Sequence, residues 1–170
     1  LLACAWVVGL FLEGSAMPLT YVPIFNPLEL SLLAAAAMFA GYIRQEKPDM
    51  QSVLKIWPYV GFVFITMATL RGVHHLYHQP WDTMILNSGL TQASLTIVWS
   101  LLGVSGLILG SRRGDRKQWM GGALLMAVVV IKLVLVDRTY MANIPGIVSC
   151  LAVGMLLVVV GYFAPRPPKE

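Results

Sequence analysis

The sequence alternates long apolar stretches with short polar ones, and this pattern predicts helices that cross a membrane. A membrane-spanning helix needs about 20 mostly apolar residues, and the first stretch, which is shorter, is interpreted as the end of a helix whose start lies outside the sequence. We therefore expect an all-α polytopic membrane bundle with five full transmembrane helices and a partial N-terminal one. The predicted helices, in a single bundle over residues 1–170, are residues 1–12 (partial), 28–43, 56–76, 90–110, 117–136 and 144–163.

Two of these helices begin with capping signals. Asn26 is a good N-cap, Pro27 suits the first helical position, and Glu29 at the third position can reach back to the cap. Asp115, followed three residues later by Gln118, predicts the same kind of start for the fifth helix.

The segment before Asn26 is rich in proline, which excludes a continuous helix. It predicts a loop on the membrane surface, with Tyr21 and Phe25 at the level of the lipid headgroups.

Composition supports the membrane interpretation. Hydrophobic residues make up 58% of the chain and charged residues 12%, against about 25% charged residues in a soluble domain. The basic residues are divided among short loops instead of forming one face, which argues against nucleic-acid binding. Cys4 and Cys150 both lie in apolar stretches, so the sequence predicts neither a disulfide framework nor a Cys-based metal site.

Lys and Arg near helix ends predict the orientation, because they favour the cytoplasmic side. Nine of the twelve fall on one side of the alternating helices, and Arg71, Arg138 and the more deeply placed Lys132 fall on the other. This distribution predicts a cytoplasmic C-terminus and an outer face that carries the histidines. The nine residues are Arg44, Lys47, Lys55, Arg112, Arg113, Arg116, Lys117, Arg166 and Lys169.

All three histidines lie in residues 71–82, at the end of the third predicted helix. If that helix continues through His78, then Arg71, His74, His75 and His78 share one broad face. His74 and His78 could then bind one metal ion, zinc or iron, with Asp82 or Asp137 as a further ligand. Three histidines are too few for a di-iron oxygenase site, and no metal or other cofactor is the first expectation.

Two further interpretations of this cluster need no metal. Arg71 and the histidines could bind an anionic group, such as a lipid phosphate or a glycan carboxylate, with a histidine as general base. Alternatively, the cluster is a solvated helix end in which Arg71 extends its guanidinium towards water.

Other charged residues are expected at the same outer end, and ionisable residues in membrane helices are candidates for function. Glu29 is explained well by helix capping. Lys132 could extend outward or pair with Glu29 or Glu13. The full set of candidate ligand-binding residues is Arg71, His74, His75, His78, Lys132, Asp137, Arg138 and Glu29.

A row of small residues in the fourth predicted helix indicates close helix packing. Gly103, Gly106 and Gly110 recur at intervals of three and four residues, which allows another helix to approach closely.

Three stretches resemble a large bacterial family of multi-pass predicted membrane proteins, domain of unknown function 2339, in its C-terminal part. They are residues 18–29 (PLTYVPIFNPLE), residues 132–137 (KLVLVD) and the closing helix that ends in Gly161-Tyr162. Arg71 followed by His74 or His75 resembles a further family feature, whereas Gly146 stands where the family often has arginine. The resemblance implies a longer inner-membrane protein and supplies no activity.

Three functions follow as hypotheses. The first is a binding or transport-type module whose outer polar end binds an envelope lipid or anionic solute. The second is an intramembrane enzyme of envelope lipid or glycan modification that uses His74, His75 or His78. The third is a structural module that docks helices through its glycines. The expected partners are membrane lipids and other transmembrane segments of the same protein or of partner subunits.

Overall fold

The computed structural model describes residues 2–12, 14, 21–23, 25–46, 56–136 and 144–163. Within these ranges the protein is helical and has no strand, so the predicted all-α class is confirmed. The elements are α1 (Leu2–Phe11), α2 (Pro27–Glu46), α3 (Trp57–Tyr77), a short 3-10 helix (Thr83–Asn87), α4 (Gly89–Arg113), α5 (Arg116–Leu135) and α6 (Ile144–Phe163).

Two of the described helices, α4 and α5, are long and apolar enough to cross a membrane. They have 25 and 20 residues, and α6 has a shorter apolar stretch over Ile144–Val158. The apolar side chains of α5 are mostly exposed, as expected for a surface that faces lipid or other helices. Five full spans are therefore not established, and the remaining three stay predictions.

The chain divides into two compact units, Leu1–Asp82 and Thr83–Glu170. In the first unit, α1 contacts both α2 and α3. Leu10, Leu32 and Phe64, one from each helix, form its apolar core. Trp6 on α1 adds a polar contact, because its indole N–H donates to the backbone carbonyl of Leu32 at 2.9 Å.

The ends of α2 and α3 determine which side chains meet in this unit. Asn26 caps α2 as predicted, with its Oδ1 accepting from the backbone N–H of Glu29 at 3.0 Å. Helix α3 ends at Tyr77, and His78 follows in the left-handed conformation with φ of 52°. The helix predicted over residues 56–76 thus ends within one residue of its predicted end, and the condition for a shared face, that the helix continues through His78, is not met.

In the second unit, α4 contacts the 3-10 helix, α5 and α6. Its core contains Val104, Leu107 and Met126, with Leu156 of α6 packed against them. The start of α5 is as predicted, since the Asp115 carboxylate accepts from the backbone N–H groups of Lys117 and Gln118.

Helices α4 and α5 approach each other through glycines. A Cβ atom built on Gly106 would lie 3.1 Å from Cα of Gly122, and one on Gly110 would lie 2.3 Å from the Trp119 nitrogen. A Cβ on Gly103 would lie 2.8 Å from the Met126 sulfur. The glycine face of α4 is thus occupied by α5 of the same chain, and α5 contributes a glycine to the contact that the sequence analysis did not identify.

We expect Gly122→Ala to destabilise the second unit, because the new methyl group would lie 2.5 Å from the Leu107 nitrogen and 2.8 Å from the Gly103 oxygen. Overpacking of this kind costs about 1–3 kcal/mol. Thermal unfolding in detergent micelles would measure the loss.

The neighbouring Gly121→Ala is the matched control, since nothing lies within 4 Å of its Cβ position. It should be neutral or slightly stabilising, because alanine favours a helix over glycine. Equal unfolding temperatures for the two variants would show that close backbone contact does not stabilise the pair.

Candidate functional site

Two charged side chains in the described part of the first unit are fully buried, and one of them is Arg71, on α3 six residues before the helix ends. Its side chain is fully buried, and its guanidinium reaches the C-terminal end of α1. Nε donates to the carbonyl of Leu12 at 2.9 Å, and Nη2 donates to those of Leu10 at 2.7 Å and Gly9 at 3.3 Å. The last carbonyls of a helix have no partner within the helix, so Arg71 supplies donors that α1 itself lacks.

The fourth hydrogen bond of Arg71 joins it to α2. Nη1 lies 3.1 Å from Oε1 of Glu29, and both side chains are fully buried. Glu29 occupies the first turn of α2, where the helix dipole favours a negative charge. One guanidinium therefore connects the end of α1, the start of α2 and the body of α3.

Tyr21 completes this group, which we term the arginine cluster (Arg71, Glu29 and Tyr21). Its hydroxyl donates to Oε1 of Glu29 at 3.0 Å, and its side chain is buried, whereas Phe25 is 73% exposed. Tyr21 is therefore packed inside the unit, and its position at the level of the lipid headgroups stays a prediction. Burial raises the pKa of Tyr21, and so do the Glu29 carboxylate and the hydrogen bond to it, while Arg71 acts in the opposite direction.

A second group of rings adjoins the arginine cluster; we term it the histidine rim (His74, His75 and Trp81). The His75 ring stacks on Tyr21 with centroids 4.2 Å apart. His74 lies edge-on to His75 at 4.6 Å and to Trp81 at 5.6 Å. All three side chains of the rim are partly buried.

Backbone contacts fix the rim at the same end of the unit. Nδ1 of His74 is hydrogen-bonded to the carbonyl of Gln79, and the Trp81 indole donates to the carbonyl of Phe11 at 3.3 Å. His78 and Asp82 are exposed. Because α3 ends before His78, the i, i+4 geometry that predicted a shared metal for His74 and His78 is not present.

The metal hypothesis has no further geometric support in the part of the chain that is described. No three side chains among its His, Cys, Asp and Glu residues come together in a way that could hold an ion. Asp137, the other predicted ligand, and Arg138 lie outside the described residues, as does Glu13.

Lys132 belongs to the second unit, where its amine is hydrogen-bonded to α4. Its Nζ donates to Oγ1 of Thr96 at 2.6 Å and to the carbonyl of Gln92 at 3.2 Å, both on α4. The predicted partner Glu29 is instead paired with Arg71. Lys132 thus links α5 to the polar side of α4, where Thr91, Thr96 and Ser100 are fully buried.

The sequence analysis identified Arg71 and Glu29 as candidates but not as partners, and it did not predict that Tyr21 contacts Glu29. A signal was present, because opposite charges near the ends of two apolar helices favour pairing. The sequence analysis also did not identify Trp81 as part of this site. Its contact with Phe11 depends on a loop conformation that residue types do not specify.

One family model matches residues 1–167 of the chain, and its description is "Predicted membrane protein (DUF2339)". No curated protein and no solved structure matches the chain significantly.

We expect Arg71→Met to destabilise the protein strongly, because it leaves a buried carboxylate without its cation and three carbonyls at the C-terminal end of α1 without their donor. Breaking a buried ion pair costs about 3–5 kcal/mol. Glu29→Gln should cost less, because the carbonyls keep their donor. Unfolding in detergent by a denaturant series would measure both variants.

The exposed Arg44→Met serves as a control that removes a cation without a buried partner. In the double variant Arg71→Met/Glu29→Gln the loss should be less than the sum of the two single losses, since the two side chains interact directly. Additive losses would contradict the ion pair.

We expect Tyr21→Phe to cost about 1.5–3 kcal/mol, because it removes a hydrogen bond to a buried charge. The raised pKa also predicts a pH effect. A raised pKa in the folded state means that the Tyr21 contribution is present below the unfolded pKa of about 10 and is lost as pH rises above it. The difference in stability between wild type and Tyr21→Phe should therefore be constant near neutral pH and shrink in alkali. A difference that grew with alkaline pH would contradict this environment for Tyr21.

Proposed function

The chain belongs to the DUF2339 family of predicted membrane proteins, and we propose that it is a helical scaffold module of a multi-pass protein in the bacterial inner membrane. In this proposal the buried polar groups hold helices together, and the exposed apolar faces contact lipid or further transmembrane segments. The module has no catalytic role of its own.

The observation that carries this proposal is the environment of Arg71. A guanidinium has five N–H donors, and the four hydrogen bonds of Arg71 all go to groups of the same chain. Arg71 is also fully buried. An arginine that binds a ligand must present donors to the outside, whereas this one presents them to α1 and α2.

The proposed orientation has the C-terminus in the cytoplasm and the histidine rim at the outer face. It is supported by the distribution of Lys and Arg, nine on the proposed cytoplasmic side and three towards the other. Such a bias is the usual determinant of orientation in multi-pass proteins.

Binding of an envelope lipid headgroup or an anionic solute is the second candidate. It is favoured by the partial exposure of the histidine rim, beside the exposed His78 and Asp82. Imidazole nitrogens can bind phosphate or carboxylate oxygens, and an enzyme could use one as a general base. Arg71 would support such a site by positioning α3 and would not contact the ligand.

A comparison of two variants of the full chain, His74→Ala/His75→Ala and Arg71→Met, distinguishes the scaffold proposal from the binding candidate. The scaffold proposal expects the histidine variant to be extracted from membranes at the wild-type level, with an unchanged lipid and metal content. Arg71→Met should reduce the folded fraction several-fold. Size-exclusion chromatography, native mass spectrometry and elemental analysis would provide these measurements.

The binding candidate would replace the scaffold proposal if the histidine variant folds normally but has lost a stoichiometric lipid, solute or metal ion that is present in the wild type. Normal yields of folded Arg71→Met would also overturn the scaffold proposal, since the arginine would then not be required to hold the helices.

A further inference from the structure

We propose that the turn between α4 and α5 binds the headgroup of an anionic phospholipid whose acyl chains lie along the exposed face of α5. This site is in the second unit and is independent of the arginine cluster and the histidine rim. It consists of the last two residues of α4, Arg112 and Arg113, and the first two of α5, Arg116 and Lys117, all of which are exposed.

The fold brings these four cations close together. Only Gly114 and Asp115 separate the two helices, and Gly114 has a positive φ of 66°, which suits glycine in so tight a turn. The glycine contact continues to the turn itself, where a Cβ on Gly110 would lie 2.3 Å from the Trp119 nitrogen. The cationic ends of α4 and α5 therefore cannot move apart without loss of the helix contact.

The turn has little negative charge of its own. Residues 112–117 contain four cations and one acid, Asp115, which gives a net charge of +3. The Asp115 carboxylate caps α5 by accepting from two backbone N–H groups. The positive dipole end of α5 and the negative dipole end of α4 meet at this turn and oppose each other, so the charged side chains determine its net charge. An anion bound here would reduce the mutual repulsion of the cations.

A lipid fits better than a free anion because an apolar surface begins directly beside the cations. Five exposed residues recur every three or four positions along α5, so they share one face. The helix has 20 residues, about 30 Å, which is close to the thickness of the hydrocarbon core. The face consists of Met120, Leu124, Val128, Ile131 and Leu135.

The charge and the apolar face together specify the ligand class. The phosphate of a phospholipid would interact with arginine side chains, which favour planar, paired hydrogen bonds to phosphate oxygens. Its acyl chains would extend from the turn along α5. A zwitterionic phospholipid offers the same apolar contact but no net negative charge, so it should bind more weakly.

Native mass spectrometry of the full chain in detergent, with added phosphatidylglycerol or phosphatidylcholine, tests this proposal. Wild type should prefer phosphatidylglycerol. Each cation near an anionic lipid surface contributes about a fivefold gain in affinity, so Arg112→Gln/Arg113→Gln should bind it roughly 25-fold more weakly. The matched variant Arg112→Lys/Arg113→Lys retains both charges and should retain most of the preference.

Three further measurements distinguish binding at this turn from a general effect of charge, from loss of structure and from binding of free anions. Arg44→Gln removes an exposed cation from the last turn of α2 and should leave the preference unchanged. Circular dichroism would confirm that each variant keeps its helical content. Inorganic phosphate at millimolar concentration should not displace the lipid, because it lacks the acyl chains.

Three results would overturn the proposal. They are equal binding of the two lipids by wild type, unchanged phosphatidylglycerol binding by Arg112→Gln/Arg113→Gln, and displacement of the lipid by inorganic phosphate. The last result would assign the turn to free anions. Because none of these residues belongs to the first unit, failure here leaves the scaffold proposal intact.

Discussion

The first unit depends on the need to satisfy a guanidinium that has been removed from water. A buried charge is tolerated only when it is paired and its donors are hydrogen-bonded. Arg71 meets this requirement with a carboxylate from α2, two carbonyls from α1 and the carbonyl of Leu12 just after it. The same hydrogen bonds provide donors for the last carbonyls of α1 and a cation for the Glu29 carboxylate. The cost of burying the guanidinium, the carboxylate and the helix-end carbonyls is thus offset by one set of hydrogen bonds. These bonds require α1, α2 and α3 to meet at Arg71.

The second unit is held by a different principle. Apolar side chains gain little from contact with one another when lipid is the alternative surroundings, so close packing and polar contacts have to hold the helices. Glycines on both α4 and α5 allow backbone contact. The Lys132 amine adds hydrogen bonds to Thr96 and Gln92 towards the other end of the pair. Backbone contact at the glycines and the hydrogen bonds of Lys132 therefore hold α4 and α5 together in addition to the apolar core of Val104, Leu107 and Met126.

Much of the helical framework could be predicted from the sequence, because capping and apolar length are local properties. Asn26 and Asp115 cap α2 and α5 as expected. The partner of Arg71 was not predictable in this way, since Glu29 lies 42 residues away and capping already explained its presence. The end of α3 was predicted to within one residue, at 76 against the observed Tyr77. Because the helix stops there and His78 follows in a left-handed conformation, the helical spacing that would let His74 and His78 share a metal ion is not formed.

The hydrogen bonds of Arg71 have a consequence for the order in which the chain is built. Helices α4 and α5 adjoin in sequence, so their contact can form as soon as both are made. The bonds of Arg71 to the end of α1 span 59 to 62 residues and need three helices to be present together. During synthesis α1 and α2 precede α3, so both sets of acceptors already exist when the arginine emerges. Their position earlier in the chain allows Arg71 to be paired as soon as α3 folds against α1 and α2, and a circular permutation that placed α3 first would reverse this order.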